Sequence, residues 1–261
     1  KLLISDCGWA SYCGSFEFSA AFPEPKKMVD TLHEMGFKVM LWVCPFICAD
    51  SVEFRALRDA DMLVKNRDGK PAIREWWDGY SAVLDLTNPA SEHWLCDKLD
   101  RLMREYGVDG FKFDAGECIY YRDDDIIWSK GNAYSSSRAW AKLGLRYEYN
   151  EFRYSFDMGG KPLVQRLKDK NHTFGENGLG ALVPATLMQN LFGYYYTCPD
   201  MIGGGEYRSF QENASHLDRE LVVRYAQAAA LCPMMQFSAA PWRILDKEQF
   251  EIVRQAALLH E

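Results

Sequence analysis

Asp114 closes a short apolar run, Val108-Asp109-Gly110-Phe111-Lys112-Phe113-Asp114, and two small residues, Ala115 and Gly116, separate it from Glu117. In a parallel α/β fold the open crevice lies at the carboxyl ends of the strands, so a carboxylate there faces a ligand while the strand behind it stays buried. Lys112 lies two residues earlier and therefore points to the same face. A cation in that place favours the ionised form of Asp114, the form a nucleophile needs, although an ordinary ion pair inside a barrel explains the spacing equally well. Polar residues end most other strand-like runs too: Asp6, the stretch from Cys44 to Asp50, Arg153, Asp169, Asp200 and Gln236. Asp and Asn favour such positions for turn chemistry alone, but an active site assembled from many strand ends requires the pattern. A pair of carboxylates across a rim, without a Gly-rich phosphate turn or a Ser-His-Asp order, points to glycoside hydrolysis. One ionised carboxylate attacks or stabilises the anomeric carbon, and one protonated carboxyl supplies a proton to the leaving oxygen.

These residues need a scaffold of alternating strands and helices, and the chain reads that way. Strands are expected over 2–5, 38–45, 109–114, 152–156, 163–167, 193–198 and 234–238, and helices over 25–35, 91–106, 135–149, 179–191, 220–231 and 246–259. Ser91 is the expected N-cap of the second helix and Gly107 its stop, while Asp246 and Gln249 have capping-box spacing. A polar excursion over 49–87 carries an Asp68-Gly69 turn signal and is expected to hold a small hairpin. Seven strands fit an α/β class (β/α)8 TIM barrel lacking its first strand, as one catalytic barrel over 1–261, better than a doubly wound sheet.

Bulk properties narrow the function. The 261 residues are 48% hydrophobic with a net charge of −7, and no basic run interleaved with aromatics is present, which argues against a nucleic-acid partner. The longest apolar stretches are strand-sized, so no membrane span is expected. The eight cysteines, Cys7, Cys13, Cys44, Cys48, Cys96, Cys118, Cys198 and Cys232, form no C-x-x-C pair, which argues against zinc and suggests free thiols in a reducing, cytoplasm-like compartment. The chain begins at Lys1 directly in an apolar run, as an excised piece of something longer would. Eight tryptophans are spread along it, and indoles commonly stack on sugar rings.

The run Asp109 to Glu117 resembles the nucleophile strand of glycoside hydrolase family 31, the retaining α-glycosidases built on a (β/α)8 barrel. Phe22-Pro23 with Met28-Val29, Gly36-Phe37-Lys38-Val39-Met40-Leu41-Trp42, Asp85-Leu86-Thr87-Asn88-Pro89 and Pro199-Asp200-Met201-Ile202-Gly203-Gly204 resemble further motifs of that family, so the likeness spans nearly the whole chain. The resemblance implies that Asp114 is the nucleophile and that Asp169, in Arg166-Leu167-Lys168-Asp169, is the acid/base, with Glu176 the competing assignment. Retention then requires the two carboxyls to sit about 5 to 5.5 Å apart. By the same resemblance Arg153, Asp6 and Asp200 bind sugar hydroxyls, either Trp76 or Trp77 supplies a subsite indole, and neither metal nor organic cofactor is needed. Two departures stand out. Gln236-Phe237-Ser238 replaces the Arg-Asn-His of the eighth strand, and a Trp-x-Gly-Asp before the acid/base is absent. Both resemble a branch of the family implied to act on α-galactosides rather than α-glucosides.

Overall fold

The computed structural model describes residues 1–261, the side chains at positions 207 and 210 aside. The chain divides into two compact units, Lys1–Met158 and Gly159–Glu261.

In the first unit the elements run β1 (Leu2–Ser5), α1 (Pro25–Glu34), β2 (Lys38–Val43), β3 (Phe46–Cys48), α2 (Val52–Asp59), β4 (Ile73–Trp76), β5 (Gly79–Val83), α3 (Pro89–Tyr106), β6 (Gly110–Phe113), α4 (Ala133–Gly144) and β7 (Tyr149–Phe152). Strands β1, β2, β6 and β7 are neighbours in that order and all parallel, with Ser5 opposite Leu41, Trp42 opposite Lys112, and Phe113 opposite Phe152. Every residue of β6 is buried, as a central parallel strand covered on both faces must be. Gly110 is required there: a Cβ would lie 1.9 Å from the Tyr149 carbonyl oxygen of β7. Leu95, Leu99 and Leu102 on one face of α3 are buried, and Trp140 of α4 packs edge-on against Phe113.

Helix α3 begins earlier than its apolar spacing predicts. Its N-cap is Asn88, whose side chain accepts from the Ala90 N–H, and Pro89 takes the first turn, where its missing N–H costs nothing. Ser91, the expected cap, is buried and donates instead to the Met62 carbonyl. The expected helix over 135–149 stops at Gly144, where a Cβ would press to 2.5 Å on Phe152, and the chain turns into β7. That strand is Tyr149–Phe152 rather than 152–156. The excursion holds α2 and a three-stranded antiparallel sheet ordered β3-β5-β4, with β4 and β5 forming a hairpin that turns at Trp77-Asp78.

In the second unit the order is β8 (Val164–Arg166), α5 (Leu182–Leu191), β9 (Tyr196–Cys198), α6 (Tyr207–Asn213), α7 (Arg219–Ala229), α8 (Pro241–Ile244) and α9 (Lys247–His260). Strands β8 and β9 pair in parallel, with Arg166 opposite Cys198. Leu167, Leu182, Ile202, Val222, Tyr225, Ala226 and Val253 form the core between these strands and α7 and α9. The capping box at Asp246 and Gln249 opens α9. The expected strand over 234–238 does not form. A single bridge joins Gln236 to Met201, because Met201 belongs to the turn after Asp200 and offers no strand for a longer ladder. No helix of the described residues is long and apolar enough to cross a membrane.

Candidate active site

Asp114 stands one residue beyond β6, and its backbone N–H still bonds the Val43 carbonyl at the end of β2. The chain then turns sharply: Ala115 and Gly116 both have positive φ, +56° and +83°. A non-glycine residue in that region costs on the order of 1 kcal/mol or more and persists only where the surroundings impose it. Here Trp140 presses on Gly116, where a Cβ would come within 2.2 Å of the indole, and Ser137 holds the Gly116 carbonyl.

The carboxylate of Asp114 is 6% exposed and held on both oxygens. Oδ1 accepts from the Ala115 N–H at 2.9 Å and Oδ2 from the Trp42 indole N–H at 2.7 Å. Arg153, immediately after β7, brings Nη1 to 3.8 Å from Asp114 Oδ1, donates from Nε to Glu117 Oε1 at 2.8 Å, and lays its guanidinium 5.0 Å from the Trp77 ring centroid. Burial pushes the Glu117 carboxyl up from its ordinary value, against the pull of Arg153. Burial likewise pushes the nearby Tyr120 phenol up to about 12.

Lys112 donates to Asp6 Oδ2 at 2.6 Å, and Arg153 brings a guanidinium nitrogen near Asp114. Asp6 is half exposed at the end of β1 while Lys112 is buried, so the pair joins two strand ends at the rim of this unit. The two tryptophans of the hairpin part ways. Trp76 is buried, donates to Ser81 Oγ, and lies nearly parallel to Trp42 (10°, centroids 6.4 Å apart). Trp77 is half exposed and covers Arg153. Beside them a cavity of about 290 Å³ is lined by Trp9, Tyr12, Cys13, Trp42, Cys44 and Asp78, among others. Trp42 therefore has one edge on the cavity and its N–H on Asp114.

In the second unit Arg166, the last residue of β8, is the organising cation. Its Nη1 donates to Asp169 Oδ1 at 2.5 Å and to Asp200 Oδ1 at 2.8 Å. Asp200 is fully enclosed, with Oδ2 accepting from the Lys170 and Gly205 N–H groups, and burial raises its carboxyl against the pull of Arg166. Its partners are thus protein groups, and through Arg166 it steadies Asp169. Asp169 retains partial exposure, whereas Glu176 is exposed in a turn. Gln236 bridges to Met201.

Three residues joined to these acids were not among the candidates drawn from the sequence. Trp42 and Glu117 lie within quoted motifs, but nothing in their spacing names a partner; Arg166 carried a usable signal, a basic residue three positions before Asp169 at a strand end. Among the described residues no group of three or more His, Cys, Asp or Glu side chains is placed to hold a metal ion.

Comparison with known proteins agrees with this arrangement. Residues 1–154 match the family model described as the glycosyl hydrolases family 31 TIM-barrel domain. The myogenesis-regulating glycosidase of Mus musculus is 34% identical over 273 residues, covering 99% of this chain and 37% of that protein. A 1,3-alpha-isomaltosidase of Kribbella flavida is 31% identical over 244 residues, covering 85% of this chain and 32% of that one. The chain thus spans about a third of the length of these relatives. Among solved structures, a family 31 sulfoquinovosidase from E. rectale superposes with a TM-score of 0.79 at 20% identity, covering 94% of this chain and 39% of its own. A Flavobacterium johnsoniae family 31 dextranase complexed with glucose does so with a TM-score of 0.81 at 20% identity, covering 99% and 35%. At that identity the superpositions speak for the fold, an α/β TIM barrel, and the family match carries the rest: the chain belongs to family 31 of the glycosyl hydrolases.

Proposed function

We propose that this chain carries the catalytic residues of a retaining exo-α-glycosidase, with terminal α-galactosides the favoured substrates. Asp114 attacks the anomeric carbon, and the bond to the leaving oxygen breaks as Asp169 gives that oxygen its proton. Asp169 then takes a proton from water, the water oxygen attacks the same carbon, and the Asp114 ester is released with the original configuration restored. The observation that carries this reading is Asp114 itself: a nearly buried carboxylate at a strand end, held by two N–H donors and approached by Arg153, in a family 31 chain. Asp169 is supported as the acid/base by its partial exposure and its bond to Arg166. Arg153, Asp6, Lys112 and Trp77 are proposed to meet the sugar; Trp76 and Asp200 are proposed to support it from behind, since both are buried on protein partners.

The α-galactoside preference rests on Gln236-Phe237-Ser238 standing where an Arg-Asn-His would mark an α-glucosidase. An α-glucoside reading is favoured by the relative named an isomaltosidase, which aligns across 85% of this chain. A panel of nitrophenyl α- and β-glycosides, assayed on the full-length parent protein, decides between them. We expect turnover of the α-galactoside, with D114A reducing it on the order of 10⁴-fold. Turnover of β-linked substrates alone, or none that D114A removes, overturns the proposal.

A further inference from the structure

Trp42 is joined to Asp114 more firmly than packing requires. Its indole N–H donates to Oδ2 at 2.7 Å in a buried setting, and the ring has little freedom to turn away. Trp76 lies nearly parallel to it, and Trp76 is itself tied to Ser81 Oγ. The backbone beneath is fixed as well. Trp42 pairs with Lys112 of β6, while its carbonyl lies one residue past the last β1 partner, where Ser5 faces Leu41. There the Trp9 indole N–H takes the place of a strand neighbour, donating to that carbonyl at 2.7 Å.

A neutral donor has a particular value on a carboxylate. It fixes rotation about the bond between Cβ and Cγ, yet adds no full positive charge that would dull the attacking oxygen. With the Ala115 N–H on Oδ1, the Asp114 carboxylate is gripped at both ends by neutral N–H groups, and Arg153 stays at 3.8 Å. Holding an attacking group in its reactive orientation is worth about 10²-fold in rate for a displacement near 1 Å.

We infer that Trp42 is a positioning residue for Asp114, with Trp9 as its anchor: the indole N–H holds the carboxylate in the orientation from which it attacks. The inference rests on the reading of Asp114 as the nucleophile. It is tested in the full-length parent with W42F, which keeps an aromatic ring and removes the donor. The expected result is a fall in kcat of about 10²-fold with KM within about threefold of wild type. Wild-type kcat in W42F, where D114A abolishes turnover, overturns the inference and leaves the proposed function standing. If the wild-type protein turns over no glycoside, the nucleophile reading and this inference fall together.

A second measurement needs no turnover. In the ¹H–¹⁵N spectrum, the Trp42 indole signal, assigned by its disappearance in a W42F or W42Y sample, should lie downfield in wild type and move upfield in D114A. A Trp42 signal indifferent to D114A overturns the inference.

Discussion

Leaving-group chemistry separates Asp169 from Glu176. An acid that protonates the departing oxygen matters most when that oxygen is a poor leaving group and least when a nitrophenol departs. If Asp169 is the acid, D169A should slow release of an alkyl or sugar leaving group by about 10² to 10⁴-fold. Release of nitrophenol in the first step should fall far less, and E176Q should leave both within about twofold, as its exposed position suggests. The reverse pattern in steady-state and burst kinetics would move the role to Glu176. Asp114 was readable in the sequence because its strand, its small following residues and its carboxylate are contiguous. Its partners were not, because Trp42 and Arg153 come to it from different strands, and spacing tells which face a side chain takes but not what it meets there. Lys112 illustrates the gap: its spacing relates it to Asp114, but nothing in the sequence tells that it donates to Asp6 at the end of β1.

Among the elements, the join of α1, β2 and β6 depends on one carboxylate. Burial pushes Asp109 up, but hydrogen bonds from Lys38, the Val39 N–H and His33 outweigh it and hold its carboxyl below the ordinary value. A depressed carboxyl contributes stability that is complete above its unfolded value, about 4, and is lost as pH falls through the lower folded value. D109N should therefore cost about 1–2 kcal/mol at pH 7. The gap to wild type should narrow below about pH 4 in thermal melts taken across that range. A gap that widens on acidification would contradict the assignment. Legibility at this scale followed local apolar patterning. Helix α9 and its capping box were visible, as were β2 and most of α3. Strand β7 was hidden because Asn150 and Glu151 sit buried in its middle, where an apolar pattern was sought. The run 234–238 has strand composition, but its neighbour is a turn, and a strand needs a partner more than it needs propensity.

Across the whole molecule, alternation of strand and helix was sufficient to suggest a parallel α/β barrel, and the family match and superpositions support that class. The division into two compact units was not legible, since no linker composition marks the boundary near Met158. Trp9, Trp42, Trp76 and Trp77, half of the chain's eight tryptophans, are linked in series beside Asp114 by one hydrogen bond and two ring contacts. Nearly parallel indoles 6.4 Å apart couple their electronic transitions. Far-ultraviolet circular dichroism of the intact protein, where the intense indole transition lies, should accordingly carry an exciton couplet that changes when a sugar occupies the neighbouring space, so that saturation is followed without label, chromogenic substrate or catalysis.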